Sequence, residues 1–372
     1  MFLTITGAAS LAIWLYLLSA RGGFWRMRPD VRHGTLRAPL PSVTAVVPAR
    51  NEADVVGRAV GSLAAQQYAG EFHMILVDDA SRDGTAGLAL AAAPRLRVVT
   101  ARPLPPGWTG KMWAVAEGVR AADSDYLLLT DADIVHPPEH LAELVTLSQE
   151  GGYDLVSYMV RLHCRSLAEQ ALIPAFVFFF FLLYPPAWIR DPRCRTAGAA
   201  GGCMLVRRSA LERIGGFERI RGELIDDCAL ARAVKRSGGR VWLGLSDTAA
   251  SIREYRTFGE IGHMISRTAY TQLGHSVFLL IGTVAGLAVT YLAPPLLTLA
   301  GPRGAASGMG AMAWLLMSAA YWPSVRYAKR QWFWVPLLPA VALFYLFATL
   351  HSAVAHWRRR GGMWKGRAQS AA

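Results

Sequence analysis

Several short stretches of this 372-residue chain carry the side chains of phosphate and metal chemistry. Thr130-Asp131-Ala132-Asp133 closes an apolar run, and one small residue between two carboxylates lets both turn to one side of a tight bend. Oxygen ligands of this kind suit hard divalent ions such as Mg2+ or Mn2+, which bind through one or two carboxylates plus substrate phosphates. A lone D-x-D arises often by chance. Its place at a strand end, after a second acidic strand end, gives it weight. That second end is Val77-Asp78-Asp79-Ala80-Ser81, where Asp78 and Asp79 can accept hydrogen bonds from a nucleobase and ribose hydroxyls. Asp83-Gly84-Thr85 beyond it reads as an ordinary turn and helix start. Pro48-Ala49-Arg50-Asn51-Glu52 leads out of another strand into a helix, so Asn51 either caps that helix or faces a ligand.

Three more stretches join these. Pro105-Pro106-Gly107-Trp108-Thr109-Gly110-Lys111 is a stiff loop that delivers an ammonium group. Lysines stand only at 111, 235, 329 and 365, against 35 arginines, so a compact point charge at Lys111 is a departure from habit that suits a phosphate or a sugar hydroxyl. Gly198-Ala199-Ala200-Gly201-Gly202-Cys203 either lets backbone approach a ligand closely at Gly201 and Gly202 or is a flexible loop before a short strand ending at Arg207-Arg208. Glu223-Leu224-Ile225-Asp226-Asp227-Cys228 opens an amphipathic helix. Capping by Asp226 accounts for one carboxylate, and the second, Asp227, is available as a general base.

The elements that must position these residues follow from periodicity. Apolar runs at 43–47, 74–77, 96–100 and 126–130 read as buried strands, and 54–66, 85–92 and 112–122 read as helices. Strict alternation predicts an α/β fold with a mostly parallel sheet whose strand C-termini share the edge where ligands bind. No G-x-x-x-x-G-K-[ST] precedes the D-x-D and no G-x-G-x-x-G follows the first strand, which argues against P-loop and dinucleotide folds.

Composition adds a membrane. Hydrophobic residues make up 53% and charged residues 17%, too apolar for an ordinary soluble protein. Phe2–Ala20 is an uncharged run near the ~20 residues a bilayer crossing needs, and Arg21, Arg26, Arg28, Arg32 and Arg37 follow it, as for an uncleaved anchor with the next domain in the cytoplasm. Apolar segments at 277–299, 309–322 and 334–356 precede a basic tail with Arg358, Arg359, Arg360, Lys365 and Arg367. Crossing by all three would leave that tail outside, against the positive-inside rule, so either one is re-entrant, the 309–322 run being the weakest, or the tail is an exception. The apolar stretch 172–183 is too short to span and reads as a core helix or a membrane-surface segment. Formal net charge is +13, and the arginines crowd beside apolar segments rather than forming an aromatic-interleaved stripe. Anionic lipid, not nucleic acid, is the expected partner. Cys164, Cys194, Cys203 and Cys228 show neither zinc-site spacing nor a disulfide framework, and no paired histidines accompany them.

In their order, P-A-R-N-E, V-D-D-x-S-x-D-G-T, G-K-x-W-A, D-A-D, the G-G loop and D-D on a helix, the motifs over 41–275 resemble those of inverting family 2 glycosyltransferases of the GT-A fold. The P-P-G-W-T-G-K loop and C-terminal apolar segments are most similar to the branch associated with hopanoid biosynthesis. The resemblance implies a nucleotide sugar, UDP-linked, bound by Pro48, Ala49, Asn51, Glu52, Asp78 and Asp79 with Gly201 and Gly202. It further implies Mg2+ or Mn2+ at Asp131 and Asp133, a base at Asp227 beside Asp226 and Lys111, and a hopanoid or other isoprenoid lipid acceptor. A polyprenyl phosphate acceptor is the alternative, and a catalytically idle membrane scaffold the alternative of another class. The Q/R-x-x-R-W motif carried by processive polysaccharide synthases and ceramide glucosyltransferases is absent; Ile265-Ser266-Arg267-Thr268 stands in its place, leaving Arg267 as a candidate for the diphosphate. The implied organisation is an anchor at 1–21, a catalytic domain at 41–256, an amphipathic interface helix at 257–275, a transmembrane region at 277–357 and a tail at 358–372, in the inner membrane with the catalytic domain in the cytoplasm.

Overall fold

The computed structural model describes residues 1–29, 35–301, 303–358, 363–364 and 367–368. Arg32, Arg359, Arg360 and Lys365 lie outside the described residues. Two compact units are present, one formed by 29–163, 188–253 and 362–372, the other by 1–28, 164–187 and 254–361.

The first unit is built on β1 (Val43–Ala49), β2 (Phe72–Asp78), β3 (Arg97–Thr100), β4 (Tyr126–Thr130), β5 (Ile134–Val135), β6 (Leu155–Arg161), β7 (Cys203–Arg207) and β8 (Val241–Ser251). Their order in one sheet is β3-β2-β1-β4-β7-β6-β8-β5. The four expected strands are all present, and β3-β2-β1-β4 is parallel throughout. The rest is mixed: β7 runs antiparallel to both β4 and β6, and β5 antiparallel to β8, so the sheet is less uniformly parallel than the alternation predicts. All seven residues of β1 are buried, as a central strand covered on both faces requires. Helix Gly110–Arg120 lies across β1 and β2 with Gly118 at the contact, where a Cβ would fall 2.8 Å from Val77 Cγ2 and closer still to Val46. Only glycine fits that approach.

The second unit is helical. Among the described residues four helical runs are long and apolar enough to cross a membrane: Phe2–Ala20, Leu167–Arg190, Val277–Leu299 and Trp332–Trp357. Ala305–Tyr327, which contains the 309–322 segment, is a 23-residue helix but not one of the four. The 172–183 stretch is longer than expected. Ser166 caps it by accepting from Glu169 N while Glu169 returns bonds to the backbone of Arg165 and Ser166, so the helix starts at Leu167 and runs 17 residues to Leu183. Length therefore does not exclude a crossing. The flanking strands β6 and β7 pair in one sheet. Pro294 and Pro295 do perturb their helix: Thr290 carbonyl would bond to residue 294, which has no N–H, the turn Ala288–Leu292 widens to π geometry, and Trp14 Nε1 donates to that carbonyl at 2.8 Å. The expected interface helix is two pieces, Phe258–Ser266 and Ala269–Gln272.

Candidate active site

The first two acidic turns are zipped together by backbone. Asn51 N donates to Ser81 Oγ at 3.0 Å, Arg82 N to Asn51 Oδ1 at 2.9 Å, Glu52 N to Thr85 Oγ1 at 2.9 Å and Ala53 N to Asp83 Oδ2 at 3.0 Å. Asn51 does not cap the following helix. Glu52 holds the N-cap position without a side-chain cap bond, and Asn51 takes a left-handed φ of 51° to reach the second turn. Pro48 and Ala49 end the buried β1, Asp79 N donates to Ala49 carbonyl, and Asp79 is buried beside Arg50. Asp78 Oδ1 accepts from Ser81 N.

A second cluster forms where Lys111, at the start of its helix, meets β4, the glycine loop and helix Asp226–Arg236. Lys111 Nζ is 2.8 Å from Asp131 Oδ1 and 3.6 Å from Asp226 Oδ2. Burial works against its charge, but Asp131, Asp226 and Asp227 outweigh that and keep the ammonium protonated. Asp226 is not the cap expected of it. The N-cap position belongs to Ile225, and the Asp226 carboxylate turns to the lysine. Asp227 accepts from Gly201 N at 2.8 Å and from Cys228 N at 2.7 Å. Burial and then the neighbouring Asp226 charge raise the Asp227 carboxyl to about 6, against the opposing pull of Lys111 and the two amides. Gly201 is in close contact, since a Cβ there would lie 3.2 Å from Asp227 Oδ2 and 3.5 Å from Lys111 Nζ. Pro48, Asp131, Gly201 and Asp226 share one cleft with Lys111, walled by Met204, Phe217 and Leu230.

The two D-x-D carboxylates take different partners. Asp131 faces Lys111, whereas Asp133 accepts from Arg253 Nε at 2.8 Å and Ser251 Oγ at 3.2 Å. Arg253 Nη2 also reaches Glu52 Oε2 at 2.7 Å, which ties the turn after β1 to the D-x-D. Burial, with the Asp131 charge next, pushes the Asp133 carboxyl up, and Arg253 opposes this. Carboxylate oxygens are the donors a hard divalent cation takes, and here Lys111 and Arg253 hold the two D-x-D carboxylates where such a cation would. Sequence reasoning missed Arg253; its one signal is an arginine just past the end of a long strand. Arg267 belongs to the helical unit, exposed at the C-cap of Phe258–Ser266.

Paired histidines exist after all. His136 and His140, four residues apart, stack at 5.3 Å, and His140 Nε2 is 3.5 Å from Cys203 Sγ, all three buried. Thr130 Oγ1 bonds Gly202 carbonyl and therefore donates to it; it can then only accept from His136 Nε2, which must carry the proton. Burial holds His136 well below the usual histidine range, as that neutral form requires. Nitrogen and sulfur donors do not suit Mg2+ or Mn2+. All four cysteines are free.

Residues 44–215 match the Glycosyl transferase family 2 model. These residues form a family 2 glycosyl transferase domain. An undecaprenyl-phosphate 4-deoxy-4-formamido-L-arabinose transferase of Serratia proteamaculans is 31% identical over 120 residues, 32% of this chain and 36% of that protein. An N-acetylglucosaminyltransferase of Bradyrhizobium elkanii is 33% identical over 116 residues, 30% of this chain and 62% of that protein. The chain thus spans about a third of the first relative's length. Among solved structures, a mannosyltransferase from Pyrobaculum calidifontis, in complex with GDP-Man and Mn2+, aligns with 95% of this chain and 99% of its own at a TM-score of 0.56 and 21% identity. The family 2 domain therefore has the GT-A fold, and in this chain it accompanies helices apolar enough to cross a membrane.

Proposed function

We propose that the family 2 domain transfers a sugar from a uridine-diphosphate donor to a hydroxyl of a membrane lipid, an isoprenoid alcohol of the hopanoid kind, with inversion at the anomeric carbon. The observation that carries this is Asp227: a carboxylate held by two backbone amides, raised to about 6, beside the Lys111–Asp131 pair. A base tuned toward neutral pH suits removal of a proton from an alcohol.

Pro48, Ala49, Asn51, Glu52, Asp78 and Asp79 line the nucleoside, and Gly201 and Gly202 let the backbone close on the sugar. Asp131 and Asp133 would hold Mg2+ or Mn2+, which when bound offsets the charge on the departing diphosphate. Asp227 takes the acceptor proton, the acceptor oxygen forms its bond to the anomeric carbon, and the bond to the diphosphate oxygen breaks on the opposite face. Lys111 stays protonated and keeps Asp131 and Asp226, two like charges, in one site. Four apolar helical runs and the arginines after Phe2–Ala20 support residence in the inner membrane with this domain toward the cytoplasm.

A second reading places the sugar on a polyprenyl phosphate. The Serratia relative, an undecaprenyl-phosphate transferase, favours it, and an anionic acceptor needs no strong base. Membranes bearing the protein, supplied with labelled UDP-sugars and either an isoprenoid alcohol or a polyprenyl phosphate, separate the readings by mass spectrometry of the labelled lipid. The first reading expects a labelled alcohol and a loss of about 10² to 10⁴-fold in Asp227→Asn. Labelling of the phosphate at the wild-type rate in that variant supports the second, and no labelled lipid at all overturns both.

A further inference from the structure

Arg253 occupies the carboxylate on which the donor site depends. Its guanidinium spans Glu52 Oε2 at 2.7 Å and Asp133 Oδ2 at 2.8 Å, joining residues 201 and 120 positions away in sequence. Both carboxylates are buried, while the arginine side chain keeps 30% of its exposure. Two buried carboxylates without a counter-ion would be strongly unfavourable, so a cation is needed there whether or not substrate is present. A guanidinium N–H and a divalent cation compete for the same lone pairs of Asp133. The planar fork also matches a phosphate as well as it matches a carboxylate.

We propose that Arg253 is a displaceable counter-ion of the donor site. It neutralises Glu52 and Asp133 in the absence of donor, and it moves from Asp133 to the diphosphate of the nucleotide sugar when that carboxylate takes up a divalent cation. Metal and nucleotide then strengthen each other's binding by the same factor. This role rests on the nucleotide-sugar reading of the domain.

The test is a Mn2+ titration of the full-length protein in detergent, following the free-ion electron paramagnetic resonance signal, with and without UDP or GDP. In Arg253→Gln, Mn2+ binds about tenfold tighter than in wild type without nucleotide, and nucleotide affinity at saturating Mn2+ falls about tenfold, the scale of one charged hydrogen-bonding contact. Nucleotide then raises Mn2+ affinity far less than it does in wild type. Arg253→Lys keeps the charge but not the fork: its Mn2+ affinity stays close to wild type while nucleotide binding weakens. Wild-type Mn2+ affinity and wild-type coupling in Arg253→Gln overturn the role. Should that variant fail to fold, unchanged nucleotide affinity in Arg253→Lys overturns it instead. A wild-type protein that binds neither Mn2+ nor nucleotide overturns the donor-site reading itself, and the role with it.

Discussion

With Asp227 as the proposed base, the acid side of the pH–rate profile should follow its carboxyl. Its carboxyl rises from 3.8 to about 6, mainly through burial and then through the Asp226 charge. The ionised form is the proposed base, so activity should be present above about pH 6 and be lost as pH falls through it. At pH 5 about a tenth of the sites remain ionised. Replacing Asp226 by Asn removes a like charge and should move the acid limb of kcat/KM down by about one unit. Removing the attraction of Lys111, in Lys111→Met, should move it up on whatever activity remains. The assay is initial-rate transfer of labelled sugar to lipid from about pH 4.5 to 9 in constant ionic strength, read as log kcat/KM, which reports groups of the free enzyme. A wild-type limb near 4, or an Asp226→Asn limb that does not move, would refute the electrostatic account of this cluster.

Gly201→Ala places a methyl 3.2 Å from Asp227 Oδ2, so the carboxylate must give by a few tenths of an ångström. Turnover should fall about tenfold with the melting temperature almost unchanged, since the misplacement touches the base and not the core. Gly118→Ala has the opposite signature: its methyl overlaps Val46 and Val77 between helix and sheet, and denaturation should show a loss of about 1 to 3 kcal/mol. Trp14→Phe deprives the Thr290 carbonyl of its donor, at about 1 kcal/mol in a membrane setting, seen as a lower melting temperature in detergent with unchanged donor binding.

Much of the site was legible because it is local. The D-x-D at 131–133, the pair at 78–79 and the pair at 226–227 each sit where a strand or helix begins or ends, and parallel topology gathers β1, β2 and β4 ends along one edge. Capping was misjudged at Asp226 and left open at Asn51 because a cap is a local option, whereas Ser81, Arg82 and Lys111 offer partners that only the fold brings near. The antiparallel β7 was not legible as such: Cys203–Arg207 returns to β4 after the excursion through Leu167–Leu183, and a strand's direction is not written in its residues. Arg253 was hidden among 35 arginines, its partners far away along the chain. The His136 and His140 spacing, by contrast, was there to be read and points into the core behind Gly202.

The most direct measurement is sugar transfer to lipid by Asp131→Asn and Asp133→Asn beside wild type, with Mn2+ titrated in each. Convergence of these turns on one donor site predicts that both variants lose about 10²-fold or more in turnover and that added metal does not restore it. Wild-type transfer by both variants would contradict the account.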